Sequence, residues 1–370
     1  MIQWREGIVT GERPGWEGVV VLDVAVEARG TVRALAYRDV VGTPVAGDRV
    51  LLNTTALERD LGTGGYAVVV AVPDRPGAWP SPDPDAPGHL VKARYTPLQT
   101  MVLGADDPEG EHHVLLEDAD DLDGMPVVAA DLHSALPAVL AGVRTVRPEA
   151  RVAYVMTDGG ALPAAFSRTC ADLRAAGWLA ATVTAGQAYG GDLEAVTVHS
   201  ALLAAHHLLG ADLVVVVQGP GNLGTGTRWG FSGVHAGEAL NAAAVLGGRA
   251  VASLRVSQSD PRPRHRGLSH HSATAYARVL AHPAEIVVPV GTTGLPDTDR
   301  CLTQVRAQVD DLVGGAPHLS MVEVVVDGLL DALREVPVRL STMGRGLEQD
   351  TASFLAAAAA GAHAARRAGA

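Results

Sequence analysis

Residues 212–233 read DLVVVVQGPGNLGTGTRWGFSG, an uninterrupted apolar run followed at once by a long glycine-rich loop. Such a valine run is typical of a strand that is buried on both faces, as in a parallel sheet. Similar apolar runs alternate with Ala-rich amphipathic stretches from residue 100 onward, which indicates βαβ units. Because the longest glycine-rich loop follows a mid-chain strand, we predict an open, Rossmann-like three-layer α/β domain over residues 98–370. A closed (β/α)8 barrel is the alternative.

The predicted strands and helices of this domain follow from apolar spacing. The strands are Val127–Asp131, Arg151–Thr157, Ala180–Ala185, Leu213–Gln218, Ala250–Ser257, Glu285–Val290, Met321–Val326 and a weaker eighth, Val338–Ser341. The helices include Ser134–Val146, Pro163–Ala176, Leu193–Leu209 and His235–Leu246. The C-terminal LAAAAAGAHAARRAGA is expected to form a helix that frays.

The first 72 residues have a different pattern, with apolar residues at every second position between Gly, Pro and Asp turns. This period is typical of a small twisted sheet or barrel. Residues 73–88 are too rich in Pro, Asp and Gly to continue a strand, and we interpret them as a connector. We therefore predict an SH3- or OB-like β module, connector included, over residues 1–97.

Composition excludes several classes of function. The 370 residues are 47% hydrophobic and 19% charged, which is typical of folded domains. A net charge of −12 argues against nucleic-acid binding. Cys170 and Cys301 are the only cysteines, so no disulfide framework is expected. Without an export signal or an apolar span, we expect a cytoplasmic protein with no membrane contact, and its small-residue helices suggest a homodimer.

Polar residues collect just after the predicted strands. Five such loops occur: Asp131–Ser134, Thr157–Gly160, Gly186–Asp192, Gln218–Gly233 and Ser257–Ser272. Because ligand groups lie at the carboxyl ends of strands in either predicted architecture, these loops indicate one shared crevice.

The loop after the valine run contains GPGNLG, with the spacing G-x-G-x-x-G. Glycines at this spacing let backbone N–H groups approach an anion. The predicted ligand-binding residues are Gly219, Gly221, Asn222, Gly224, Thr225, Thr227, Arg228 and, from the next loop, Arg266. No helix begins immediately and no acid follows the next strand, so NAD is not expected. The alternative is a tight turn that only packs.

Aspartate and histidine at neighbouring strand ends indicate acid/base or metal chemistry. The predicted catalytic residues are Asp131, His133, Asp158, His270 and His271. The predicted ligands of a divalent metal such as Zn²⁺, Mn²⁺ or Fe²⁺ are Asp131, His133, His265 and His270. The D-x-H pair also opens the binuclear metallophosphatase pattern, but the later GNH and GHxH elements are absent. The alternatives are a helix cap at Asp131 and a solvated basic loop around His265.

Five phrases carry a resemblance to a known family: DLHSALP, YVMTDGGALP, GGDLEAVTVHS, QGPGNLGTGTRWGFSG and RHRGLSHHS. They resemble a bacterial, mainly actinobacterial, family catalogued as domain of unknown function 3866, over nearly the whole chain. The resemblance implies no activity and no catalytic residue.

From the residues themselves we predict an enzyme acting on a small phosphorylated or carboxylated metabolite, by metal-assisted hydrolysis or group transfer. The alternative is a non-catalytic nucleotide or anion sensor, or a scaffold.

Overall fold

A computed structural model describes residues 2–59, 63–75 and 85–369. Its first five strands are β1 (Trp4–Trp16), β2 (Val19–Val26), β3 (Gly30–Tyr37), β4 (Arg49–Asn53) and β5 (Ala67–Ala71). They close into a barrel in the order β1-β2-β3-β5-β4, with β4 antiparallel to β1 and β3 parallel to β5. Alternate residues such as Leu22, Val24 and Leu52 fill its interior, which confirms the period-two pattern.

The remaining strands and the helices continue along the chain. The strands are β6 (Leu90–Lys92), β7 (Thr100–Val102), β8 (Pro126–Ala129), β9 (Val152–Thr157), β10 (Ala181–Ala185), β11 (Leu193–Ala195), β12 (Leu213–Gln218), β13 (Arg249–Ala252), β14 (Val256–Ser257), β15 (Gly267–Leu268), β16 (Ala284–Val290), β17 (Leu319–Val325), β18 (Ser341–Thr342) and β19 (Arg345–Gly346). The helices are α1 (Arg38–Val41), α2 (Thr55–Glu58), α3 (His113–Leu116), α4 (Leu136–Val146), α5 (Arg168–Ala175), α6 (Val198–His207), α7 (His235–Val245), α8 (His270–Thr274), α9 (Pro296–Gly314), α10 (Leu329–Arg334) and α11 (Thr351–Arg367).

A short hairpin of β6 and β7 follows the barrel. Lys92, the only lysine of the chain, donates hydrogen bonds from this hairpin to the carbonyls of Ala188 and Ala195 in the α/β domain. The predicted boundary at residues 97 and 98 lies in the turn between β6 and β7. Residues 76–84 of the predicted connector lie outside the described residues.

Eight strands form one parallel sheet in the order β11-β10-β9-β12-β8-β13-β16-β17. The sheet is open, with β11 and β17 at its edges, so the closed-barrel alternative is wrong. Every residue of β9 and β12 is buried, as expected when helices cover both faces. Seven of the predicted strands lie in this sheet. The eighth shares only Ser341 with a strand, β18 of a separate small hairpin, and β11 was predicted as the start of a helix.

The strand order reverses beside β12. The chain runs from β8 outward to β11, returns to insert β12 between β9 and β8, and then continues on the other side through β13. The register sets Gln218 opposite Thr157 and Val216 opposite Ala129, so β9 and β12 end level and β8 ends two residues earlier. A parallel sheet has its crevice at such a reversal, on the carboxyl side.

The C-terminal helix α11 is the main correction to the predicted elements. Nearly all of α11 is buried, and it packs against α4. A Cβ on Gly142 would lie 1.8 Å from the Ala358 carbonyl oxygen, and one on Gly361 would lie 1.9 Å from that of Val139. These two glycines let the helix backbones touch, so the prediction of a frayed helix is wrong for residues 355–365, which are buried. Within the described ranges, no helix combines the length and apolarity needed to cross a bilayer.

Candidate functional site

Three histidines meet beside the reversal of the sheet. His265, His270 and His271 each offer one ring nitrogen, and these nitrogens lie within 4.8 Å of one another. His265 and His271 are buried, and His270 is half-buried. Their rings are 4.5 to 4.9 Å apart between centroids. Three imidazoles at this spacing suit a divalent transition metal.

The local sequence explains why these histidines converge. The strands β14 and β15 pair antiparallel, so the basic loop between them folds back on itself. Ser269 then caps α8, because its Oγ accepts a hydrogen bond from the His271 amide. The same Oγ lies 2.7 Å from Nδ1 of His265. Ser269 thus contacts the backbone amide of His271 and the imidazole of His265, where it engages Nδ1.

A buried ion pair of Asp131 and Arg255 contacts the third imidazole, that of His271. Oδ2 of Asp131 lies 3.2 Å from Nη1 of Arg255 and 3.2 Å from Nδ1 of His271. Nη1 of Arg255 is also 2.9 Å from Nδ1 of His271. Burial opposes ionisation of Asp131, but Arg255 and His271 outweigh it and hold the pKa of this carboxyl below its usual range. Arg255 has only donors, so Asp131 is the group that can accept a proton from Nδ1 of His271. With Nδ1 protonated toward Asp131, Nε2 is the nitrogen left for a ligand.

Arg255 is the residue that sequence reasoning missed. It follows β13 within the apolar run AVASLRV and is buried with Asp131. The available signal was a single charged residue inside an apolar run, because a buried guanidinium requires a buried partner and so points to a polar site.

Within the described part of the chain, three buried polar side-chain atoms have no hydrogen-bond partner. They are Oε1 of Gln218, Oγ of Ser253 and Nε2 of His270. Gln218 ends β12 and Ser253 follows β13, so both atoms lie near the reversal that also holds Asp131. Buried polar groups are nearly always paired, and unpaired ones concentrate where a ligand or ion binds.

The glycine-rich loop is held by contacts within itself, to the loop after β9 and to β12. A Cβ on Gly219 would lie 2.4 Å from the Ala161 carbonyl oxygen, so this glycine permits close packing of two loops. Asn222 Oδ1 accepts hydrogen bonds from Gln218 and Ser232 and ties the loop to β12. The amide of Thr225 donates to Gly230 within the loop.

No α-helix follows this loop directly, since α7 begins only at His235, and the arrangement differs from a dinucleotide fingerprint. Gly221 has φ of +101°, which favours glycine there. Gly224, Thr225, Thr227 and Arg228 are exposed. The end of the loop reaches the histidines, because Phe231 stacks on His271 with 3.7 Å between ring centroids. Anion binding by this loop stays a prediction.

Three predicted site residues lie away from the histidine cluster. The chain turns into a 3-10 helix at His133, and this imidazole binds Tyr154 and Ser167 instead. The group of three histidines does not include His133, whose place in the metal set stays a prediction. Oδ2 of Asp158 accepts from the amide of Gln187 and holds the loop after β10. Arg266 points to a separate cleft with Arg300, Cys301 and Gln304.

The cluster is locally basic within an acidic chain. Burial, followed by the charges of Arg255 and Arg262, lowers the pKa of His265 to about 3. Burial and then nearby positive charges, including that of Arg264, lower the pKa of His270 to about 4. Both imidazoles are therefore neutral at physiological pH, the form that ligates metals.

Comparison with known proteins gives one result that covers most of the molecule. Residues 33–361 match a family model described as "Protein of unknown function (DUF3866)", which confirms the resemblance read from the motifs. The matched range runs from the barrel through α4, the histidine cluster and most of α11. No curated protein and no solved structure matches the chain.

Proposed function

The chain belongs to the DUF3866 family, whose description states no activity, and we propose from its geometry a metal-dependent enzyme acting on a small anionic metabolite. The observation that carries the proposal is the convergence of His265, His270 and His271 within 4.8 Å. Three histidine ligands with a fourth position open to water are the donor set of catalytic zinc sites. A bound divalent ion would supply a water of lowered pKa and a positive charge beside the substrate.

The chain's own residues around the cluster support this assignment. Asp131 contacts Nδ1 of His271, as carboxylates do behind metal-bound imidazoles, where they set the ring's orientation. Ser269 does the same for His265. Nε2 of His270 is buried and makes no hydrogen bond, so it is already desolvated for a ligand. Each of the three rings thus has a nitrogen to offer.

The substrate class follows from charge and position. The guanidinium of Arg264 lies beside the turn at Gly226, at the edge of the cluster, and is exposed. A guanidinium pairs readily with phosphate or carboxylate oxygens. We propose that the α/β domain binds its ligand where Rossmann-like domains do, at the strand ends beside the reversal of strand order. We also propose that the barrel is OB-like in its strand connectivity.

The first test is metal loading. We expect protein incubated with Zn²⁺ and dialysed to retain about one ion per chain by elemental analysis, and Co²⁺ to give the visible absorption of a low-symmetry site. His270→Ala should lose the ion. The matched control is His206→Ala, because His206 and His207 on α6 are adjacent histidines with ring centroids 4.6 Å apart. Equal metal content in wild type and His270→Ala would refute the assignment.

The second test separates catalysis from sensing, which is the alternative function. Metal-loaded protein is incubated with a panel of phosphomonoesters and carboxylate esters, and products are followed by mass spectrometry. Turnover that is lost in His270→Ala and retained in His206→Ala would support the proposal of an enzyme. Binding by calorimetry with every ligand recovered unchanged would favour a non-catalytic anion sensor.

A further inference from the structure

A second cleft, separate from the histidine cluster, lies between the barrel and the α/β domain. Its volume is about 420 Å³. The barrel side contributes Tyr37 and Asp39, and the α/β side contributes Ser167, Cys170 and Tyr189. Beside it, the indole N–H of Trp16 donates a 2.7 Å hydrogen bond to the carbonyl of Ala165 and joins the two parts of the chain.

Ser167 is held against an imidazole where it borders this cleft. Its Oγ lies 2.7 Å from Nε2 of His133. Nδ1 of His133 lies 3.2 Å from the hydroxyl of Tyr154, and that hydroxyl donates to the Gln218 carbonyl at 3.3 Å. A hydroxyl, an imidazole and a third group that orients the imidazole form the arrangement used by activated serines.

The direction of these hydrogen bonds follows from the Gln218 carbonyl, which is the last group in the series. The carbonyl of Gln218 can only accept, so the Tyr154 proton points to it. The Tyr154 oxygen then accepts the proton of Nδ1 of His133, which leaves Nε2 of the neutral ring as an acceptor. Ser167 therefore donates its hydroxyl proton to Nε2, and His133 is placed as its base.

The start of α5 adds electrostatic support. Ser167 is the N-cap of this eight-residue helix, and its Oγ accepts a hydrogen bond from the Cys170 amide at 3.1 Å. The positive end of the helix favours negative charge on Oγ and on an oxyanion beside it. Burial raises the pKa of the Cys170 thiol to about 12, so the neighbouring cysteine stays protonated.

We propose that Ser167 is the nucleophile of a second, metal-independent site that transfers acyl groups from small carboxylic esters bound in the cleft. Oγ of Ser167 attacks the ester carbonyl carbon, and its proton passes to Nε2 of His133. The alcohol leaves with the electron pair of the broken C–O bond and takes that proton. A water molecule then attacks the acyl-serine, gives a proton to His133, and releases the acid as the proton returns to Ser167.

The test is covalent labelling with a fluorophosphonate probe in the presence of EDTA, followed by peptide mapping. We expect the probe on Ser167 of the wild type. His133→Gln should label at least about 100-fold more slowly, because a positioned base contributes roughly that factor or more. EDTA removes the proposed metal, so failure here and failure of the metal assignment are distinguishable.

Two further variants separate a nucleophile from a helix cap. Ser167→Asn keeps an acceptor for the Cys170 amide and should preserve the melting temperature while losing the label. Ser200→Ala removes a serine from the capping box of α6 and should leave labelling of Ser167 unchanged. A wild type without label on Ser167, or a His133→Gln variant that labels at the wild-type rate, would overturn the proposal.

Discussion

Replacing Asp131 by asparagine tests the buried ion pair behind the histidine cluster. The Asp131 and Arg255 side chains are each 6% exposed, and Oδ2 is 3.2 Å from Nη1. The change removes the negative charge and leaves the guanidinium buried without a counter-charge. Losing one partner of a buried pair costs about 3–5 kcal/mol of the free energy of unfolding. Because asparagine can still accept one hydrogen bond from Arg255, we expect the lower end, about 3 kcal/mol.

The assay is urea unfolding followed by tryptophan fluorescence, in a double-mutant cycle with Arg255→Met. The double variant has no unpaired buried charge, so it should be more stable than the sum of the two single changes implies. The reasoning is refuted if Asp131→Asn costs under about 1 kcal/mol or if the two changes are additive. The same variant should bind Zn²⁺ about 10- to 100-fold more weakly, since Asp131 orients His271.

Three further predictions concern packing, a second buried pair and pH. Gly142→Ala should cost about 3 kcal/mol or more in urea unfolding, because its Cβ would lie 1.8 Å from a carbonyl oxygen of α11. Gly314→Ala, where a Cβ meets nothing within 4 Å, is the control and should be neutral or stabilising. Lys92→Met removes the ammonium 3.5 Å from Glu194 and leaves this carboxyl buried without its counter-charge, which should cost about 3 kcal/mol. An unchanged melting temperature would contradict this. Burial lowers the pKa of His133 to about 4, from an ordinary value of about 6.5. Between these two pH values the unfolded chain binds more protons than the folded chain, so the free energy of unfolding falls as the pH falls through this window. Unfolding midpoints measured from pH 7 to 4 should show a shallower decline in His133→Gln, and an equal decline would contradict the assignment.

Much of the fold was predictable because burial leaves a direct mark on sequence. The run LVVVVQ is buried at every position, and alternating residues of β2 fill the barrel, so both patterns predicted their strands correctly. The short β11 was missed because three residues carry too little periodicity to distinguish a strand from the first turn of a helix. The helix α11 was misjudged because Ala and Gly look weakly hydrophobic, whereas here their small size is what permits contact with α4.

The candidate site was predictable in part for the same reason. His265, His270 and His271 lie within seven residues of one another, so local sequence was enough to suggest that they act together. The pairing of Asp131 with Arg255 spans 124 residues and could not be inferred from either segment. His133 was assigned to the metal set because it is two residues from Asp131, yet the turn at residue 133 directs it to Ser167.

The sequence by itself determined the class of the molecule, a β module followed by an α/β domain with polar loops at its strand ends, because hydrophobic spacing is a local property of the chain. Only the tertiary structure decided which loops meet. Strand order depends on how distant segments pack, and inserting β12 between β9 and β8 is what brings Gln218 to the carbonyl of Asp131. The same packing places Asp131 beside the histidine cluster and turns His133 to Ser167, which borders a separate cleft, since side chains two residues apart at a turn can face different neighbours.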